Sequence, residues 1–161
     1  MSGLILTILA KYLIEKWNMT KIIELRAHHF MCIPDYRGLN YSEESKNSWD
    51  IITQQLKEDP ETLIKIVDGP DMLCTKCPHS PEAANSCKND FVLLLDNKVK
   101  ELLGFKTNDI YSYKEISEKL MDLMDPQKHA QMCGDCMWRA YGVCIDTFKK
   151  TADAILEVLP K

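Results

Sequence analysis

Seven cysteines stand at positions 32, 74, 77, 87, 133, 136 and 144, and six of them form two matched groups. Cys74-x-x-Cys77 is followed after nine residues by Cys87, and Cys133-x-x-Cys136 is followed after seven residues by Cys144. Two residues between thiols let the chain turn so that both sulfurs face one point, the arrangement used by tetrahedral zinc and by iron-sulfur clusters. One such pair is a weak signal; two, each with a third thiol, point to a shared metal centre. Seven thiols cannot all pair as disulfides, and a cytoplasmic, reducing setting would keep them free.

The first residues agree with that setting. Gly3 to Ala10 is apolar for eight residues only before Lys11, Glu15 and Lys16, too short to span a bilayer, and no Lys or Arg precedes it as in a secretory signal. Leu4, Ile5, Ile8, Leu9, Tyr12, Leu13 and Trp17 recur at three- and four-residue steps. That spacing predicts an amphipathic helix in residues 1–18, an extension whose stripe over 4–17 would dock on the core or on a partner helix. Residues 19–161 are expected to form one cysteine-rich domain. Twenty Lys+Arg against 24 Asp+Glu give a net charge of -4, so no broad basic surface is available for nucleic acid.

Within that domain the pattern predicts an α+β fold dominated by helices. Residues 21–26 and Leu63 to Val67 read as strands, and Ser42 with Glu43 and Glu44 behind it caps a helix over 43–57 with Trp49, Ile52 and Leu56 on its apolar side. Strand, helix, strand makes a small βαβ-like unit. Asp68-Gly69-Pro70-Asp71 is a turn, and the first cysteine group follows in a loop broken by prolines. Phe91, Leu94, Leu95, Val99, Leu102 and Leu103 predict a helix ended by Gly104. Ser112-x-x-Glu115 opens another, which Pro126 stops, and Ile145, Phe148, Ala152, Ile155 and Leu159 predict a closing helix. The two middle helices, folded back as a hairpin, would bring the cysteine loops together.

The residue types narrow the chemistry without deciding it. A closed zinc site uses four ligands, so six thiols leave two over, and the excess leans towards iron and sulfide; the spacing alone fits both. Trp138, Val143 and Ile145 offer an apolar wall near the thiols, and Lys76, Lys88 and Arg139 offer cations against thiolate charge. His28 and His29 follow the first strand, and both can reach one metal only if that strand has already ended. Cys32, Asp35, Tyr36 and Arg37 come next as candidate pocket residues, whereas Glu43-Glu44 is read as helix-start electrostatics rather than a catalytic pair. No phosphate-binding glycine loop, dinucleotide fingerprint or nucleophile elbow is present, which leaves nucleotide and hydrolase chemistry without support.

Four segments resemble the domain of unknown function 1284 family: Leu25-Arg26-Ala27-His28-His29-Phe30-Met31-Cys32, Tyr36-Arg37-Gly38-Leu39-Asn40-Tyr41-Ser42, Asp68-Gly69-Pro70-Asp71-Met72-Leu73-Cys74 and Cys133-Gly134-Asp135-Cys136-Met137-Trp138. Its members are small proteins described as iron-sulfur binding, and the likeness covers about residues 21 to 145. It implies a cluster held among Cys74, Cys87, Cys133, Cys136 and Cys144, with Cys32 as a substitute for Cys77. The expectation is therefore a 4Fe-4S protein in one-electron transfer or redox sensing, ligated by four of Cys74, Cys77, Cys87, Cys133, Cys136 and Cys144, with Cys32, His28 and His29 as further candidates. A redox partner protein is implied. The rival is a zinc-stapled interaction module without catalysis, and a third class places Cys32 with His28 or His29 in an enzyme pocket.

Overall fold

The computed structural model describes residues 22–79, 90–134, 136–140 and 144. The helices expected within 1–18 and over 145–159, together with Cys87, Lys88, Val143 and Ile145, lie outside the described residues. What is described is the expected α+β fold dominated by helices.

Strand β1 (Ile23–Arg26) pairs in parallel with β2 (Leu63–Val67), and the connection between them carries a short helix α1 (His29–Cys32) and the long helix α2 (Glu43–Glu58). This is the anticipated βαβ-like unit. The register sets Ile23 beside Ile64 and Leu25 beside Ile66, and all four are at most 1% exposed. On the opposite face Glu24 pairs with Lys65, whose ammonium lies 2.9 Å from the Glu24 carboxylate. Alternation thus puts one apolar face on the core and gives the other charged side chains.

A third strand, β3 (Ile110–Ser112), was not expected. It runs antiparallel to β2 and makes that strand the centre of the sheet. Three residues give too little alternation to read from sequence, and Ile110 is exposed on the outer edge.

The helices form where their caps and stripes place them. Ser42 accepts a hydrogen bond from the Ser45 N–H at the start of α2, and Ile52 and Leu56 are buried beneath it. Helix α3 (Asp90–Leu103) buries Leu95, Val99 and Leu103, and Gly104 ends it with a left-handed φ of 67°. Leu94, expected on the same face, is 52% exposed, because one residue is a rotation of about 100° away from the 95/99/103 seam.

At helix α4 (Tyr113–Leu123) the expected capping box is complete: the Glu115 N–H donates to Ser112 Oγ, and the Ser112 N–H donates to Glu115 Oε2 at 2.7 Å. Pro126 follows the end of α4 but also opens a further helix, α5 (Pro126–Met132), with Asp125 as its cap. Proline fits there because the first helical N–H has no partner to lose. A short helix, α6 (Met137–Ala140), follows the second Cys-x-x-Cys turn. No described helix is long and apolar enough to cross a membrane.

Candidate metal and thiol site

Beyond the C-terminal end of β1 the chain surrounds a cavity of about 390 Å3. Its walls include Cys32, Cys74, Cys77, Cys133, Cys136 and Cys144, so both described parts of the matched cysteine groups reach one chamber and Cys32 joins them. Each Cys-x-x-Cys is a tight turn: the Cys77 N–H donates to the Cys74 carbonyl and the Cys136 N–H donates to the Cys133 carbonyl, both at 3.0 Å. The six described thiols form no disulfide.

Within this chamber the charge neighbours of several thiols can be named. Burial pushes the Cys32 thiol well up, and the next contributions come from Cys144, Cys133 and Cys136. Cys133 is pushed to about 12 by burial, then by Cys136 and Cys144, with the Arg139 cation working against them. Cys144 rises to about 11 through burial, Cys136 and Asp35, opposed by Arg37. Cys32 thus lies among the charges of the second cysteine group. Cys74, in the same wall, is raised to about 12 by burial, and its foremost charged neighbour is Asp71.

Two histidines line the chamber beside the thiols, and each is held from behind by a buried carboxylate. Because β1 ends at Arg26, the His-His step falls in a turn and the start of α1, and the rings lie 4.2 Å apart. Adjacent residues on a strand would have faced opposite ways. His28 Nδ1 lies 2.7 Å from Asp96 Oδ1, which also accepts the His28 N–H, while Asp96 Oδ2 accepts Arg26 Nε and Nη2 at 2.8 and 2.6 Å. Burial, then the His29 ring, pulls His28 down to about 4 against the pull of Asp96, so the imidazole is neutral at pH 7. A neutral ring beside a carboxylate held by arginine donates from Nδ1 and leaves Nε2 as an acceptor.

His29 repeats the pattern with Asp71. Its Nδ1 is 2.6 Å from Asp71 Oδ2, which also accepts the Arg26 N–H, and Asp71 Oδ1 accepts the N–H groups of Leu73 and Cys74 at the start of a 3-10 turn (Met72–Cys74). Burial works to raise Asp71, but the His29 ring and the Arg26 N–H outweigh it and hold the carboxyl low. The ligand atoms of His29, Asp71 and Cys74 all lie within 4.8 Å of one another.

The chamber also contains Asp35, Tyr36 and Arg37 in its wall, as the sequence suggested. Trp138 is there too, its indole N–H donating to the Tyr41 hydroxyl at 3.0 Å. Of the proposed cations, Arg139 reaches the chamber, and its buried Nη1 has no hydrogen-bond partner among the described residues. Lys76 lies in the turn between Cys74 and Cys77 with a left-handed φ of 63°, outside the described wall. Glu43 and Glu44 occupy the first turn of α2, as expected of helix-start charges.

Three contributors escaped the sequence reading. Asp96 sits on the buried side of α3, and an acid on an apolar stripe was the signal available for it. Asp71 was read only as a turn residue. His129, 4% exposed on α5, is pulled down by burial and lines the same chamber, but it lies on a helix that sequence periodicity did not reveal.

A family model described as "Protein of unknown function (DUF1284)" matches residues 40–142. No curated protein and no solved structure matches the chain.

Proposed function

The chain belongs to the DUF1284 family, whose description assigns no activity, and we propose that it binds a 4Fe-4S cluster through Cys32, Cys133, Cys136 and Cys144 and uses it to transfer or sense single electrons. The observation that carries this reading is that Cys32 faces the same partly open chamber as Cys133, Cys136 and Cys144, with those thiols as its foremost charged neighbours. Four soft thiolates suit iron and sulfide, and when bound such a cluster supplies one-electron chemistry.

The chain's own residues meet the remaining demands of that group. The Arg139 and Arg37 cations lower the cost of gathering thiolates around one centre. Met31, Leu73, Phe91 and Leu95 give the chamber an apolar lining that limits water, the setting that tunes a reduction potential. Exchange of electrons with a partner protein would proceed over the half-exposed Tyr41–Trp138 rim, whose rings lie 4.8 Å apart.

Anaerobically prepared protein tests the proposal. Iron and acid-labile sulfide in about equal amounts, with visible absorption that bleaches on reduction, are expected. Stoichiometric zinc without sulfide, together with unfolding on chelation, would replace this reading with a zinc-stapled interaction module.

A further inference from the structure

We propose that His29, Asp71 and Cys74 form a second, separate site for a single zinc ion, with one coordination position open to the chamber. Their ligand atoms already lie within 4.8 Å of one another. Around a tetrahedral zinc, bonds of about 2.0–2.3 Å set ligand atoms about 3.3–3.7 Å apart, so side-chain adjustment seats the ion, with His29 Nδ1 and Asp71 Oδ2 opening from their 2.6 Å contact.

The group is built rather than incidental. The Asp71 side chain is fully buried and the His29 side chain is 9% exposed, unlike the acidic clusters common on protein surfaces. Three backbone N–H groups, from Arg26, Leu73 and Cys74, fix the Asp71 carboxylate. They come from the end of β1 and from the 3-10 turn, so strand and cysteine loop are locked around the same atoms. Trp49 packs edge-on against the His29 ring at 5.2 Å and restrains its rotation.

The donor set selects the ion. One imidazole, one carboxylate and one thiolate make a borderline mixture suited to zinc rather than to an all-sulfur cluster or to calcium. Binding moves the His29 proton to Nε2, so that Nδ1 and Asp71 Oδ2 both face the ion in place of the hydrogen bond between them. Among the described residues three ligands face the ion, and three protein ligands with a fourth position left for water are the pattern of a reactive zinc site. His28, whose ring is 4.2 Å from His29 and is oriented by Asp96, stands next to the group as a candidate proton acceptor for a water on the ion.

This site does not depend on the four-thiol centre, and the experiment separates the two. In the full chain with Cys32→Ser and Cys133→Ser, which dismantle the four-thiol set, one equivalent of Co2+ should bind and give a thiolate charge-transfer band with the visible bands of a four-coordinate ion. Adding azide should shift those bands, because an open position accepts it. Cys74→Ser in the same background should abolish the charge-transfer band, and His29→Gln should weaken Co2+ binding at least tenfold. In the otherwise unchanged chain, zinc per molecule should fall from one to near zero on Cys74→Ser while iron and sulfide stay constant. A cobalt band unaffected by Cys74→Ser, or zinc content equal in both chains, would overturn the proposal. Loss of iron and sulfide on Cys74→Ser would also overturn it, by making Cys74 a cluster ligand.

Discussion

Replacing Asp96 with alanine removes the carboxylate that ties helix α3 to the end of β1. Asp96 is 2% exposed and accepts two hydrogen bonds from Arg26, itself 2% exposed, and two from His28. Without it a buried guanidinium has no counter-charge, which costs about 3–5 kcal/mol, and the stranded His28 N–H adds on the order of 1 kcal/mol. A chain of this size loses about 2–4 °C of midpoint per kcal/mol, so thermal unfolding should fall by at least about 8 °C.

Urea unfolding of metal-free protein at pH 7 measures the free-energy change directly. Asp96→Asn should cost less than Asp96→Ala, since the amide keeps one acceptor. Arg26→Met combined with Asp96→Leu should also be milder than Asp96→Ala, because no buried charge is then left alone.

Acid supplies an independent check. Burial works to raise the Asp96 carboxyl, but the His28 hydrogen bond and the charges around it hold it at about 2, below its ordinary 3.8. A lowered folded-state value gives stability that is present above about pH 4 and lost as the pH falls towards 2, and Asp96→Ala should flatten the curve over that window. A loss below about 1 kcal/mol for Asp96→Ala, with the acid limb unchanged, would refute the claim that this carboxylate clamps the chamber.

Two further substitutions test the fold itself. Ser112→Ala removes one half of the capping box at α4 and should cost about 1 kcal/mol, read from the urea midpoint. Leu56→Ala on α2, where the side chain is fully buried, should cost about 2–5 kcal/mol, while Ile51→Ala on the same helix, 68% exposed, should change stability by less than about 0.5 kcal/mol.

The parts of the fold that were legible rest on local physics. Ser42, Gly104 and the Ser112–Glu115 pair do at their helix ends what short-range hydrogen bonding requires, and the alternation in Leu63 to Val67 reports one buried face. What escaped depends on contacts far apart in sequence. Strand β3 exists because Leu63 and Lys65 offer an edge to residues 110–112, and three residues carry no period of their own.

The site divides along the same line. Paired Cys-x-x-Cys spacing pointed to thiols facing one another, and the described ones share one chamber. Which thiols neighbour which follows instead from α1, whose turn after β1 carries Cys32 towards Cys133, Cys136 and Cys144. Asp71 and Asp96 acquire their roles only when Arg26, His28 and His29 arrive from 42 to 70 residues away.

The central claim is that Cys32, Cys133, Cys136 and Cys144 act as one set. Acid-labile sulfide per chain, measured on anaerobic Cys32→Ser and Cys77→Ser proteins beside the unaltered one, tests it most directly. The account predicts that Cys32→Ser loses most of the sulfide and Cys77→Ser keeps it. Sulfide retained in Cys32→Ser and lost in Cys77→Ser would contradict the grouping.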